Sequence, residues 1–521
     1  MLYQLKNINC RDKSAFFSQL IECLAPPSCE RSLNPTFGLD KQVLNQFYNL
    51  LNGRELTVIV ESEYIDGNYL DDYAFYYSKC FEPYGRYCKR VHFFLSEYTQ
   101  EEFDELFFSD EGFTELGACY AGYVVARPIP EAFIGKTCLN IRLLLPESLS
   151  VFPTLQTIEV NLWGRKLDFM SLPFQEQDGV VSACATCSLW SSFHATGKLF
   201  HHRILSPYYI TKNATATNPL HTRNFPNKGL TLTHLAHAIK SVGIDFFQAP
   251  CSELPIEKYL GKISGYMCLG IPVLLFGKVI NSNGNDIGFH VVSVVGVKYL
   301  PEGESGITLE KDLGNFNLAQ RYVESLFVHD DQLGPFTEYK LKRGKKTRFF
   351  SPSRATSLEF HCPNGQMFVV QHLVFPIYHK IRISYSQIFD FVCKMNDEIY
   401  SLKLLKGSKS FSFSWDINLT NSSNYKSNVL EREDLSIEQK RAVLIKNLPK
   451  YLWVANGSNV YHDDDEFEVV FDATGIHHDT NVCFVLPTPT ALSIKDIYYA
   501  DDALLFNNLP HKVQTVITKI L

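Results

Sequence analysis

The stretch QEQDGVVSACATCSLWSSFHATG, residues 175–197, joins a polar turn to an apolar segment of helical composition. Ser182 follows an Asp-Gly turn and is a favoured N-cap residue. The sequence therefore predicts a helix over residues 183–196 that ends at Gly197. Cys184 then falls in the first helical turn, where the positive end of the helix favours a thiolate and makes the sulfur a better nucleophile.

Three other positions supply the groups that a cysteine nucleophile needs. His290 lies in GFHVVSVVGV, which is typical of a strand, and alternation directs its imidazole to one face with Val292 and Val294, where it could act as the base. Asp330 ends the strand-like SLFVHDDQLGPF and could accept a hydrogen bond that fixes the tautomer of the imidazole. Gln177 could donate its amide to a developing oxyanion, beside a backbone N–H.

Each of these groups also has a purely structural explanation. A cysteine is a common buried residue, a strand histidine is often hydrogen-bonded in a core, a carboxylate can cap a turn, and a loop glutamine can face water. What distinguishes the set is its order along the chain, which is glutamine, cysteine on a helix, histidine on a strand, and aspartate at a strand end.

In that order, residues 171–340 resemble the papain-like cysteine peptidase superfamily, and within it the bacterial double-glycine leader peptidases of bacteriocin exporters. The likeness is carried by QDGVVSAC, LSPYYIT, GLTLTHLAHAIKSVGI, the pair GIPVLLF and GFHVVSVVGV, and VHDDQLG. The resemblance implies an N-terminal catalytic helix on an antiparallel sheet. It also implies Cys184, His290 and Asp330 as the triad, Gln177 as the oxyanion donor, and no metal or organic cofactor.

Several assignments within this pattern stay open. The acid could be Asp331, although the register favours its neighbour. The amide donor could be Gln175, because Gln177 stands one residue further from the cysteine than is usual in the family. Cys187 offers a second thiol, but one turn into the helix it should pack inward. The long interval between the histidine and the aspartate predicts an insertion near residues 301–320.

Two other chemistries of paired cysteines fit less well. The motif CATC at 184–187 has the spacing of a redox pair, but no thioredoxin-type βαβ unit surrounds it. A zinc site would recruit His201 and His202, or His234 and His237, yet the chain has no second CxxC.

Composition excludes several classes of protein. The net charge is −7 in 521 residues, so the chain lacks the basic footprint of a nucleic-acid-binding protein. The densest basic run, KLKRGKKTR at 340–348, predicts a solvated loop. No apolar run approaches the roughly 18 residues of a membrane span, and the N-terminus does not resemble a signal peptide. We therefore expect the 14 cysteines to be reduced in the cytoplasm.

The chain is long enough for several domains. We predict an α+β protein with an N-terminal mixed α/β domain over residues 1–170, a papain-like domain over 171–350 and a C-terminal α+β domain over 351–521. The two flanking domains have no role that the sequence assigns. Within this plan LNIRLLLP at 139–146 is predicted as a strand, and residues 211–229 as a long polar loop.

The predicted function is that of a multidomain bacterial thiol-dependent hydrolase that cleaves a peptide or isopeptide bond. Its partners would be a peptide or protein substrate and a regulatory protein, with access gated by the flanking domains; neither nucleic acid nor membrane is expected. The alternative is a catalytically inactive papain-like fold that serves as a protein-binding or sensor module, since fold does not determine function.

Overall fold

The computed structural model describes residues 3–26, 41–145, 149–216, 225–227, 229–252, 256–301, 317–342, 357–405, 413–459, 466–476, 482–500 and 511–521. Within these residues the protein is mixed α+β, with 15 α-helices and sheets whose strand pairs are antiparallel with one exception. None of the described helices combines the length and the apolar character that crossing a membrane requires.

The N-terminal part is a five-stranded antiparallel meander in which consecutive strands are neighbours. Its strands are β1 (Gln4–Asn7), β2 (Thr57–Tyr64), β3 (Cys88–Phe94), β4 (Tyr120–Ala126) and β5 (Ile134–Leu139). Its helices are α1 (Lys13–Leu24), α2 (Gln42–Leu51), α3 (Gly67–Phe75), α4 (Gln100–Phe108), α5 (Asp110–Ala118) and α6 (Ile141–Leu144).

Alternation along the strands places helices on both faces of this sheet. Val58 and Val60 of β2 share a core with α1 and α2, whereas Ile59 between them packs in a second core with α3, α4 and α5. The prediction of a strand for residues 139–146 is wrong. Strand β5 ends at Leu139, and the leucines that follow form the short helix α6.

The central part is built around a closed antiparallel barrel. A small strand and a hairpin precede it, namely β6 (Ser150–Val151), β7 (Gln156–Leu162) and β8 (Arg165–Ser171), and β9 (Asp245–Pro250) pairs with its last strand. The barrel strands are β10 (Val273–Ile280), β11 (Asp286–Tyr299), β13 (Val323–Asp330), β14 (Gly334–Leu341), β15 (Leu358–His361) and β16 (Met367–Ile377). Closure follows because β10 pairs with both β11 and β16.

Four helices accompany the barrel, which are α7 (Cys184–Phe200), α8 (Pro207–Thr215), α9 (Leu232–Ser241) and α10 (Ile256–Met267). Helix α7 lies against β11, where the Ser188 hydroxyl donates to the Val291 carbonyl oxygen at 2.7 Å. The predicted loop over 211–229 is wrong at its start, because α8 continues to Thr215.

The limits of α7 differ from those predicted. Its N-cap is Ala183, which makes no side-chain capping bond, whereas Ser182 precedes the cap. Gly197 does not end the helix, which continues to Phe200. A Cβ at residue 197 would lie 2.8 Å from the Ile204 side chain, so the glycine permits close packing there. The helix ends at Phe200, and its C-cap His201 adopts the left-handed conformation of a helix C-terminus.

The C-terminal part is a second sheet with five helices. Its strands are β12 (Asn317–Leu318), β17 (Phe413–Asn421), β18 (Tyr451–Asn459), β19 (Glu466–Asp472) and β20 (Val482–Val485). Its helices are α11 (Tyr385–Leu405), α12 (Ser422–Glu431), α13 (Ile437–Leu444), α14 (Pro489–Ala500) and α15 (His511–Thr518). The edge strand β12 pairs in parallel with β17 and falls within the predicted insertion, of which residues 302–316 lie outside the described residues.

The hydrophobic cores cross the predicted domain boundaries. One apolar cluster runs from Trp190 of α7 through the barrel to Trp415 and Trp453 of the C-terminal sheet. The N-terminal cluster includes Phe327 and Phe336 from the barrel. The boundary predicted at residue 350 falls within the barrel sheet, since β15 and β16 lie beyond it and close the barrel.

We expect barrel closure to depend on the packing of β16. Leu373→Ala removes a side chain that is fully buried there, and should lower the free energy of unfolding by about 2–5 kcal/mol, measured by urea denaturation with tryptophan fluorescence. Leu430→Ala on α12 is the matched control, since that leucine is 56% exposed and its loss should cost about 0.5 kcal/mol or less. Equal effects of the two changes would contradict the closed-barrel core.

Candidate active site

Cys184 is the first residue of α7 and is partly exposed, whereas the nine residues that follow it are buried. Ala183 offers no side-chain cap, so the first backbone N–H groups of the helix receive no capping acceptor from that residue. These N–H groups and the helix dipole stabilise negative charge at this position. The thiol is therefore partly exposed and lies at a helix N-terminus.

His290 lies in β11, and its imidazole is almost completely buried. Its Nε2 atom lies 3.0 Å from Asp330 Oδ1. An ionised carboxylate can only accept, so we assign the proton of this hydrogen bond to Nε2. That assignment leaves Nδ1 as the ring atom available to a thiol, and Nδ1 is buried without a hydrogen-bond partner among the described residues.

Cys184 is the thiol that interacts with this imidazole. Burial alone would lower the pKa of His290. The charge and hydrogen bond of Asp330, the interaction with Cys184 and the charge of Asp331 outweigh burial and raise that pKa well above its usual value. The protonated form of the histidine is therefore favoured.

Asp330 ends β13 and is the better-satisfied of the two adjacent aspartates. Its Oδ1 accepts from the backbone N–H groups of Gln332 and Leu333 at 2.9 and 3.2 Å, in addition to His290. Its Oδ2 accepts from the Tyr339 hydroxyl at 2.6 Å. Burial raises the pKa of Asp330, but the histidine and these donors outweigh burial and lower it. The carboxylate therefore stays ionised although it is buried.

Asp331 is equally buried but has no comparable support. Neither carboxylate oxygen has a hydrogen-bond partner among the described residues, and Oδ1 lies 3.8 Å from His290 Nε2. The pKa of Asp331 is raised to about 7, chiefly by burial. The charge of the histidine opposes this rise, and the charge of Asp330 adds to it by a smaller amount. The structure thus places Asp330, not Asp331, in the orienting contact.

Gln177 lies in the loop between β8 and α7 and is partly exposed. Its neighbour Asp178 organises this loop, because Asp178 Oδ1 accepts from the backbone N–H groups of Val180, Val181 and Ser182, each at 2.8 Å. The loop therefore leads into α7 through a hydrogen-bonded turn, and Gln177 directly precedes the aspartate that organises it.

The second candidate amide, of Gln175, and the second candidate thiol, of Cys187, contact each other in the protein interior. Gln175 is buried, and its Nε2 donates to the Cys187 sulfur at 3.9 Å. Cys187 is buried as predicted, and burial, followed by the charges of Asp331 and Asp178, raises its pKa well above the usual value. The amide of Gln175 is thus engaged with Cys187, whereas Gln177 is partly exposed.

The structure gives no support to the zinc cluster considered from the sequence. Within the described residues, the one group of three potential metal ligands is His290, Asp330 and Asp331, and the histidine pairs on α7–α9 do not join the cysteines. Asp330 Oδ1 already accepts from three N–H groups and its Oδ2 from Tyr339. This saturation by protein donors suits a protonated imidazole rather than a cation.

Sequence reasoning missed Tyr339, Arg127 and Tyr77. Tyr339 comes from β14 and reaches back across the hairpin to Asp330. The short turn DDQLGP in the sequence indicates that the chain returns as a strand paired with β13. The turn does not indicate which side chain of that strand faces the carboxylate. Arg127 and Tyr77 belong to the N-terminal part and contact the loop that carries Gln177, which no local pattern could indicate.

No protein-family model matches this chain, and no curated protein matches it either.

The two aspartates should respond oppositely to loss of charge. Asp331 has a raised folded pKa, so its unfolded form ionises first and its burial costs stability as pH rises from about 4 to about 7. Asp331→Asn should therefore stabilise the protein at pH 8 by about 1–3 kcal/mol, and less at pH 5. The measurement is urea denaturation at the two pH values.

Asp330→Asn is the matched control for this prediction. The folded pKa of Asp330 is lowered, so its stabilising contribution is present above about pH 4 and is lost only below that value. The variant should be less stable than the wild type at both pH 5 and pH 8. Destabilisation by Asp331→Asn at pH 8 would refute the view that Asp331 is an unsupported buried charge.

Proposed function

We propose that the protein is a papain-like thiol hydrolase that cleaves peptide or isopeptide bonds, with Cys184 as nucleophile and His290 as general base. The observation that carries the proposal is the buried imidazole held at Nε2 by Asp330 at 3.0 Å, with Nδ1 left for a thiol at a helix N-terminus. A helix-borne thiol on an antiparallel barrel supports the papain-like assignment. The proposed compartment is the cytoplasm, on the ground of the sequence alone.

In the first half of the proposed reaction, His290 Nδ1 takes the proton of the Cys184 thiol. The thiolate attacks the carbonyl carbon of the substrate amide and forms a tetrahedral intermediate. The Gln177 amide and the Cys184 backbone N–H donate hydrogen bonds to its oxyanion. As the intermediate collapses, the C–N bond breaks and the imidazolium gives its proton to the leaving amine, which leaves a thioester on Cys184.

In the second half, His290 takes a proton from water while the water oxygen attacks the thioester carbonyl. The C–S bond then breaks, the carboxylic acid product leaves, and the thiolate–imidazolium pair is restored. Asp330 keeps the imidazole in the required tautomer throughout and does not itself exchange a proton. Asp330 is in turn oriented by Tyr339.

The first test of this proposal is alkylation of the cysteines with iodoacetamide at pH 7, followed by peptide mass spectrometry. Cys184 should react much faster than the other thiols, because a nearby imidazole and the helix N-terminus favour its thiolate. His290→Ala should slow that reaction strongly, by about 10-fold or more, since few thiols near their free pKa are ionised at pH 7.

Two thiols of the same chain control this experiment. Cys187, three residues away, is buried with a raised pKa and should stay unmodified in the folded protein. Cys184→Ala should remove the fast reaction entirely. If Cys184 reacts no faster than the remaining cysteines and is indifferent to His290→Ala, the hydrolase proposal fails and the binding-module alternative takes its place.

A second test separates the oxyanion donor from the nucleophile. Acylation of Cys184 by p-nitrophenyl acetate passes through a tetrahedral oxyanion, whereas alkylation by iodoacetamide does not. Gln177→Ala should therefore slow acylation by about 100-fold or more while it leaves alkylation within about twofold. Gln175→Ala is the control that should leave the ratio of the two rates unchanged. If this ratio changes in the Gln175 variant alone, Gln175 and not Gln177 is the oxyanion donor.

A further inference from the structure

The loop that carries Gln177 is fastened to the N-terminal part by a buried arginine. Arg127 directly follows β4, and its side chain is only 3% exposed. One of its terminal nitrogens, Nη2, donates to the carbonyl oxygen of Glu176 at 2.9 Å and to that of Ala132 at 2.8 Å. Arg127 therefore joins the residue immediately before Gln177 to the turn between β4 and β5.

The residue immediately after Gln177 is held from the same side. The Tyr77 hydroxyl donates to Asp178 Oδ2 at 2.8 Å, and Arg127 Nη1 lies 3.9 Å from the same oxygen. Asp178 Oδ1 meanwhile accepts from three backbone N–H groups that lead into α7. Gln177 is thus flanked by two residues that the N-terminal part fixes, one through its carbonyl and one through its carboxylate.

A buried arginine is a costly way to fill this space. Burial lowers the pKa of Arg127, but the opposite charges of Asp178 and Glu176 contribute to raising it, so the guanidinium stays charged. Its Nε and Nη1 atoms have no hydrogen-bond partner among the described residues. An apolar side chain of similar volume would avoid that desolvation cost. What such a side chain could not do is bind the Glu176 carbonyl and the Asp178 carboxylate together.

We propose that Arg127, assisted by Tyr77, is a positioning residue for the oxyanion site, supplied by the N-terminal part of the chain. It acts through the loop at 176–182 and sets where the Gln177 amide stands relative to Cys184. This inference rests on the proposed thiol chemistry. It also changes the expected role of the N-terminal part, from a gate over a complete site to a component without which the site is misaligned.

The experiment compares the same two reactions of Cys184, acylation by p-nitrophenyl acetate and alkylation by iodoacetamide, in the full-length protein. Arg127→Met should slow acylation about 10- to 100-fold and leave alkylation within about twofold, because the oxyanion donor is displaced while the thiol and His290 are not. Tyr77→Phe removes one hydroxyl and should slow acylation by a smaller factor. Arg127→Met combined with Gln177→Ala should be no worse than Gln177→Ala alone.

Two further variants distinguish positioning from loss of fold. Arg127→Lys keeps the charge and should recover part of the acylation rate, although lysine cannot reproduce both contacts. Arg90→Met is the matched control, because Arg90 is a buried arginine of the neighbouring strand β3 that pairs with Glu61. It should lower thermal stability without changing the ratio of acylation to alkylation.

The outcomes separate this inference from the proposed function. If wild-type Cys184 shows neither fast alkylation nor acylation, the proposed function itself fails. If the wild type shows both and Arg127→Met keeps their ratio, the hydrolase stands and the positioning role is refuted. An equal fall of both rates in Arg127→Met and Tyr77→Phe also refutes it, because the effect would then be on the nucleophile or on the fold.

Discussion

The hydrogen bond between His290 and Asp330 is the interaction on which the rest of the site depends. Both groups are buried, and an imidazole and a carboxylate so far from water are stable only when each satisfies the other. The two backbone N–H groups of the turn and the Tyr339 hydroxyl complete the coordination of Asp330. The β13–β14 hairpin therefore holds the Asp330 carboxylate in place. Because His290 donates to that carboxylate through Nε2, its Nδ1 atom is directed to the opposite side of the ring.

The remaining parts of the molecule bring a thiol to this imidazole and hold the loop that carries Gln177. The barrel positions β11, and α7 lies across it through the Ser188–Val291 contact, so that the helix N-terminus meets the histidine. The N-terminal part fixes the loop before α7 through Arg127, and Gln46 of α2 donates to the Phe336 carbonyl oxygen beyond the turn of Asp330. The loop before α7 and the turn after Asp330 are therefore both held by residues of the N-terminal part. Phe336, which follows that turn, lies in the same apolar core as α1 and α2.

The elements with strong local signals could be predicted from the sequence. The runs that include His290 and residues 367–377 are strands as expected, and the inward packing of Cys187 follows from its helical position. The failures have physical causes. Gly197 was expected to stop α7, but a glycine also serves where a neighbour leaves no room for a Cβ. Periodicity does not encode contacts between residues far apart in sequence. Barrel closure, the shared apolar cores and the hydrogen bonds of Arg127 to the loop before α7 all depend on such contacts.

Asp330 and Asp331 show how environment rather than residue type assigns a role. They are adjacent, identical and equally buried, yet one accepts hydrogen bonds from three N–H groups and a hydroxyl while the other accepts none from the residues that the structure describes. Asp330 therefore ionises first, and its charge helps to delay ionisation of Asp331 until a pKa of about 7. Near neutral pH the pocket gains a second negative charge, 3.8 Å from His290 Nε2, which favours the imidazolium further. The carboxylate that does not orient the histidine can thus still influence how firmly the histidine holds its proton.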